Sequence, residues 1–343
     1  MGGKAGFPPA EPVLFVDLEY IPSRCSKGLA HAPRLALNVM TVNTPVRQPC
    51  SPPPEREGVW SGRLLYRGNH FWRILISKIK NGRLLAQKNE MNTLRAIHRF
   101  GILRTRDLAS LLWNKWERYA PQCEPNLMPP LATVSGIRMA QRTLARLKAR
   151  NLVLCAKACD GSFVYALSTK GVRILLEIGI QAATGKDHIR RHSAGHFRHQ
   201  CISTEIAISG VLEGFKIATE REIAQGRWLG GMNGIFGKKP DVVLRAGKKM
   251  YFVEVERSRK NQTDYKKLLA WLFAIWPNVM RSPEEHNSSF QNHIITKVIF
   301  ICTKQFSDKI KSDLIVSGWS ANQLEARLIF NMSLYKFEAI TFF

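Results

Sequence analysis

The chain has 343 residues and carries 51 Lys+Arg against 26 Asp+Glu, a formal net charge of +25. That length accommodates two domains with real cores plus an extension, and so large a positive excess points to a polyanionic partner. The longest apolar runs fall far short of the roughly 20 residues of a membrane-spanning helix, which excludes membrane insertion by helices and leaves a nucleic-acid partner as the expectation.

Residues 1–60 carry repeated prolines (Pro8-Pro9, Pro12, Pro22, Pro33, Pro45, Pro49, Pro52-Pro53-Pro54) and no sustained apolar period, so an irregular extension is predicted. The opening MGGKAGFPPAEP lacks an apolar signal core and a small-residue cleavage site. Seven scattered cysteines fit a reducing compartment, and a cytoplasmic location is the expectation. Cys155 and Cys159 lack a second Cys or His pair at zinc-finger spacing, which argues against a metal role for them.

Residues 84–180 are predicted to form a DNA-binding helical module. Gln87–Phe100 places Met91, Leu94, Ile97 and His98 at helical spacing before Gly101-Ile102 interrupts it. Thr105 is the expected N-cap of Arg106–Trp113, and Pro121–Pro130 is a proline-rich loop. Ser135 is the expected cap of a helix from Gly136 to about Arg150. Its inward face is Ile137, Ala140, Leu144 and Leu147, and its outward face is Arg138, Gln141, Arg142, Arg146 and Lys148. Val153–Ala158 and Phe163–Ser168 flank Asp160-Gly161 as a hairpin. Three helices followed by a hairpin is the order of a winged helix, in which the third helix enters the major groove and the wing touches a phosphate chain. The alternative is a basic helix that stays solvated. Charge favours the first reading: residues 61–190 hold 23 Lys+Arg against 7 Asp+Glu, a net +16. An amphipathic helix over Lys170–Ile180 and a linker over Gln181–Lys186 close the module.

Residues 187–343 are predicted to be a second, α/β module. His188, His192, His196 and His199 open it beside Arg190, Arg191 and Arg198. Either they line a basic approach to phosphate, or His188 and His192 at i, i+4 take a metal. A helix is expected from His199 to about Phe215, then a strand over Lys216–Ile223, a glycine-rich crossing, a hairpin, a helix Thr263–Ile275 and a strand Lys297–Cys302. That is an α-β-β-β-α-β order.

The hairpin lies in KKPDVVLRAGKKMYFVEVERSRK. Asp241–Arg245 and Met250–Ser258 are the predicted strands and Ala246–Lys249 the turn. A pivot between Gly247 and Lys248 sets Asp241 opposite Glu254, and alternation puts Glu256 on the face of Glu254. Three converging carboxylates repel one another unless a divalent cation binds among them, so Asp241, Glu254 and Glu256 are the candidate Mg²⁺ or Mn²⁺ ligands. The alternative is a surface hairpin whose acidic face pairs with Lys248, Lys249 and Arg257.

This segment resembles the PD-(D/E)xK nuclease motif, with Pro240-Asp241 as its "PD" and Glu254-Val255-Glu256 in place of "ExK". Glu256 stands where most such nucleases have lysine, and the E-x-E form is similar to MobC-type plasmid relaxases and the related replication-relaxation proteins, over roughly Leu84 to Cys302. The resemblance implies a winged helix joined to a restriction-endonuclease-like domain. It implies nicking of double-stranded DNA at a transfer origin during conjugative mobilisation, with single-stranded DNA after the nick and relaxosome accessory or coupling proteins as partners. It also implies that His199 opens the first helix of the nuclease-like domain, and that Glu205 on this helix is a fourth metal ligand; the alternative is a partner for nearby arginines on the helix surface. Lys266 and Lys267 on the last core helix, or Lys260, are candidates to replace the motif lysine at the anionic transition state. A tyrosine nucleophile lacks support: Tyr251 faces away from Glu254, and Tyr265 has no motif around it. The other class of function is a non-catalytic DNA-binding accessory protein that keeps the nuclease-like scaffold.

Overall fold

In the computed structural model the described residues are 81–190, 194–256, 261–276 and 289–332, and they belong to one compact unit that begins at Lys80. The proline-rich segment 1–60, His192, Arg257, Ser258 and Lys260 lie outside them.

Asn81 starts helix α1 (Gly82–Phe100) by accepting from the amides of Arg83 and Leu84, and Gly101 ends it at φ +86°. Strand β1 (Ile102–Arg104) follows directly. It is too short to show a period, so the sequence reads as a mere break there. Helix α2 spans Thr105–Leu112. Arg104, not Thr105, holds its N-cap position, because the Asp107 carboxylate reaches back to the Arg104 amide at 2.8 Å. Helix α3 (Val134–Ala149) is likewise capped earlier than expected, two residues before Ser135, by the Thr133 hydroxyl on the Gly136 amide at 3.0 Å. Its buried side is Gly136, Ala140, Thr143, Leu144 and Leu147; of the predicted inward residues Ile137 is half-buried. Strands β2 (Val153–Lys157) and β3 (Phe163–Leu167) form the expected hairpin, and β1 adds to β3 in a three-stranded antiparallel sheet of order β1-β3-β2. Helix α4 (Thr169–Glu177) starts on Ser168.

The second part begins with the short α5 (Lys186–Arg190) and the long α6 (Ala194–Leu212). Strand β4 covers only Lys216–Ala218. The strand predicted to reach Ile223 stops there because Thr219 and Glu222 form a capping box that starts helix α7 (Glu220–Ala224). Strands β5 (Val242–Ala246) and β6 (Lys249–Glu256) pair in the predicted register, with Val242 opposite Val253. The turn is Gly247-Lys248, and Gly247 takes φ +56°, which a Cβ would strain. Helix α8 (Gln262–Ile275) carries the chain over to β8 (His293–Cys302), parallel to β6. The short β7 (Ser289–Phe290) and, after α9 (Lys304–Val316) and α10 (Ala321–Arg327), β9 (Leu328–Asn331) border β8 on its other side. The described fold is therefore mixed α/β, with ten helices and two sheets, the larger of order β4-β5-β6-β8-β7 with β9 beside β8.

Alternation along the central strands divides the core. Val242, Leu244, Tyr251 and Val253 face one cluster, which also takes Leu94, Ile97, Leu108 and Leu144 from the first helices and Ile202 and Ile206 from α6. Val243, Met250, Phe252 and Phe300 face the other, with Leu268, Trp271 and Leu314. The helical module and the large sheet thus share one continuous apolar core. Among the described residues no helix is long and apolar enough to cross a membrane.

Candidate functional site

Asp241 lies just before β5, where its amide donates to the Val253 carbonyl at 3.1 Å. Its Oδ2 in turn accepts from the Val255 amide at 2.7 Å. These bonds hold Asp241 against β6 just past the last β5–β6 pair, Val242–Val253, and beside Glu254. The two carboxylates share the side of the sheet that carries Val243 and Phe252, so they stand at the edge of the aromatic cluster formed with α8. Glu254 and Glu256 are both buried.

Two cations enter from other elements. Ile235 and Lys238 close a tight turn by exchanging backbone hydrogen bonds at 3.0 and 3.2 Å, with Phe236 and Gly237 at φ +50° and +77°. That turn aims Lys238 inward, where Nζ sits 2.5 Å from Glu254 Oε2 and 4.9 Å from the centre of the Trp271 ring. Trp271 is itself fixed by donating to the Ile235 carbonyl at 3.0 Å. From α6, His199 brings Nε2 to 3.2 Å from Asp241 Oδ2 and Nδ1 to 3.8 Å from Glu220 Oε1. Glu220 is the first residue of α7, delivered by the Thr219 cap.

The electrostatics follow from this crowding. Burial pushes the Glu254 carboxyl up to about 7; Lys238 opposes the shift and the Asp241 charge adds to it. Burial also raises Glu220, against the pull of His199. Asp241 goes the other way: although burial resists ionisation, the hydrogen bond and charge of His199 hold it below the usual carboxylate range. Burial lowers His199, but the bond and charge of Asp241 together with the charges of Glu220 and Glu254 outweigh it and lift His199 to about 9. Glu254 Oε1 and Glu220 Oε2 are buried without a hydrogen-bond partner. An orphaned buried carboxylate oxygen suits a hard cation or a protonated substrate group. As the side chains stand, however, no three His, Cys, Asp or Glu among the described residues are grouped to hold a metal; Lys238 and His199 balance the charge.

Other predicted site residues fall elsewhere. Glu205 is six positions beyond His199 on α6, about 120° around the helix. It is buried against the guanidinium of Arg104 at 2.7 Å and that of Arg106. The structure therefore corrects its reading as a metal ligand: it is the arginine partner, in the interior and not on the surface. Lys266 and Lys267 are exposed, since α8 turns Tyr265, Leu268, Trp271 and Leu272 inward, and Lys267 faces Asp264 at 3.5 Å. Lys238 takes the place predicted for them beside the carboxylates. Tyr265 donates to Asp313 at 2.7 Å and is pushed well above the ordinary phenol range by burial and that bond. Tyr251 packs edge-on against Phe215 on the far side of the sheet. Of the described histidines in the predicted cluster, His188 is half-buried on α5, His196 is exposed, and His199 reaches the carboxylates.

On α3, Arg138, Gln141, Arg142 and Lys148 are exposed along one side. Arg146 is half-buried and bound to Glu90 at 2.7 Å, which Arg150 also holds at 2.6 Å. Lys238 and Glu220 are the two site members the sequence reading missed. Each had a signal: Lys238 lies three residues before the "PD" aspartate, and Thr219-Glu220-Arg221-Glu222 is a capping box. In comparisons with known proteins, no family model, no curated protein and no solved structure matches this chain.

Proposed function

We propose that this chain is a metal-dependent DNA strand-nicking endonuclease of the relaxase type, acting at a transfer origin during mobilisation. The observation that carries this reading is the pairing of Asp241 with Glu254 at the end of a β-hairpin, with an amine, Lys238, inserted beside them. The order α6-β4-β5-β6-α8-β8 supports a restriction-endonuclease-like core, and α1-β1-α2-α3-β2-β3 supports a winged helix with α3 as the groove-reading element. Mg²⁺ or Mn²⁺ held by Asp241 and Glu254, with Glu256 assisting, would supply charge neutralisation at the phosphate and an activated nucleophile. Lys238 takes the part of the motif lysine, placing positive charge where the anionic transition state forms. His199 holds Asp241 ionised and oriented through its Nε2 bond. The exposed Arg138, Gln141, Arg142 and Lys148 position duplex DNA and carry its recognition.

A second reading, an accessory DNA-binding protein that retains the scaffold, is favoured by the Lys238–Glu254 ion pair, in which a protein amine engages the Glu254 carboxylate. A relaxation assay on supercoiled plasmid from the element encoding the chain separates the two. Nicked circles formed with Mn²⁺ or Mg²⁺, lost in EDTA and lost in Asp241→Ala and Glu254→Ala, are the expected result. Duplex binding without nicking under any metal would establish the accessory reading.

A further inference from the structure

Away from the carboxylates, the C-terminal turn of α1 and helix α7 bury a group of cations with too few acceptors. Arg221 is 6% exposed, and beside its Nη2 contact to the Ala183 carbonyl at 3.3 Å its Nε and Nη1 have no partner. Arg227 donates Nε to Gln225 at 2.9 Å and Nη1 to His98 Nε2 at 2.7 Å, leaving Nη2 buried and unpaired. Because a guanidinium only donates, His98 must accept at Nε2 and carry its proton on Nδ1, and that nitrogen is also buried and unpaired. Glu222, the carboxylate nearest to hand, is already engaged by Arg99 at 2.7 and 3.3 Å and by the Thr219 amide at 3.0 Å. Three guanidinium groups thus face one carboxylate, and every orphaned atom is a donor.

A water molecule offers lone pairs but no charge, whereas a tetrahedral oxyanion supplies both, and arginine pairs with phosphate through parallel N–H bonds. We infer that Arg221, Arg227 and His98 form a binding site for a phosphate group, entered past the half-buried Arg99 and Arg227. Gly101 packs against the Arg221 guanidinium: a Cβ there would lie 2.9 Å from Nη1. Mutual repulsion fits the same picture: burial and the neighbouring Arg227 lower the affinity of Arg221 for its proton, and burial with Arg227 and Arg221 does the same for His98. Nothing in this site depends on the cleavage reading.

Two sources of the phosphate are distinguishable: a nucleic-acid strand, or phosphate free in solution. Thermal unfolding of the full chain in EDTA is followed in sodium phosphate and in sodium chloride of equal ionic strength, for wild type, Arg227→Ala and Arg221→Met. Phosphate also stabilises proteins by exclusion from their surface, so the reading is the difference between proteins. At phosphate about tenfold above its dissociation constant, wild type should gain roughly 3–5 °C more than Arg227→Ala. In chloride, Arg221→Met should melt above wild type, since it removes a buried charge that lacks partners. Equal phosphate shifts in wild type and Arg227→Ala, or a lower Tm for Arg221→Met in chloride, would overturn the site. A short single-stranded oligonucleotide that phosphate displaces from wild type, and that Arg227→Ala binds with a salt slope reduced by about 1, identifies nucleic acid as the source. A phosphate shift with oligonucleotide binding untouched identifies free phosphate.

Discussion

Lys238 Nζ lies 2.5 Å from Glu254 Oε2, although sixteen positions of turn and hairpin separate the two residues in the chain. The half-buried ammonium of Lys238 favours the charged form of the buried Glu254 carboxylate, against the pull of burial. The pair couples the residue that would hold a cation to the residue that would meet the phosphate.

Lys238→Ala should therefore reduce strand nicking by about 10²–10³-fold, the usual cost of one charge-stabilising donor, while duplex affinity stays within about twofold. Without its partner Glu254 is pushed further up and remains protonated at neutral pH. Lys238→Arg keeps the charge and should recover part of the rate. Nicking at the wild-type rate by Lys238→Ala would remove Lys238 from the chemistry.

Arg104 joins three acids from three parts of the chain: Asp107 at 2.8 Å, Glu205 at 2.7 Å and Asp160 at 4.0 Å. It thereby ties the start of α2 and the turn of the β2–β3 hairpin to α6. Arg104→Met leaves buried carboxylates without their counter-charge, and a loss of about 3–5 kcal/mol is expected. Chemical denaturation measures it. Glu205→Gln should cost less and should leave Mn²⁺ affinity unchanged; a large loss of Mn²⁺ affinity would restore Glu205 as a ligand.

How far the sequence disclosed this arrangement depended on range. The β5–β6 register followed from one turn and a two-residue period, so Asp241 and Glu254 were placed opposite each other from sequence alone. Helices α1 to α3 followed from apolar spacing. Contacts between distant elements carry no local pattern, and so the partners of Glu205 in the interior were not fixed by its place on a helix. The same holds for Lys238, whose inward direction depends on a turn held by Trp271 thirty-three positions later. Lys266 and Lys267 show the converse: their place on the last core helix suggested a role, and the inward register of α8 leaves both exposed.

On α3 the exposed and the engaged basic residues should behave differently. Arg138→Ala and Arg142→Ala should weaken duplex binding and each reduce the salt slope by about 1 if it meets a phosphate. Arg146→Ala breaks a half-exposed pair with Glu90 and should cost at most about 1 kcal/mol of stability, with a smaller effect on binding. Fluorescence anisotropy across a salt series gives the slopes. Equal losses of binding from all three variants would mean that Arg146 leaves Glu90 in the complex.

His98 provides a pH signature for the arginine cluster. Burial, then Arg227 and Arg221, depress its imidazole to about 4 from an ordinary 6.5. The unfolded chain takes up a proton there as pH falls through 6.5, while the folded protein resists until about 4. The linked stability is therefore fully present above 6.5 and is lost as pH falls from 6.5 through 4, by about 2–3 kcal/mol in chloride. Carboxylates titrate in the lower part of the same window, so the informative quantity is wild type minus His98→Gln. Urea unfolding at pH 7.5 and 4.5 should show wild type losing more than the variant by that amount. Parallel losses in the two proteins would mean that His98 is charged in the fold, and that Arg227 does not donate to it.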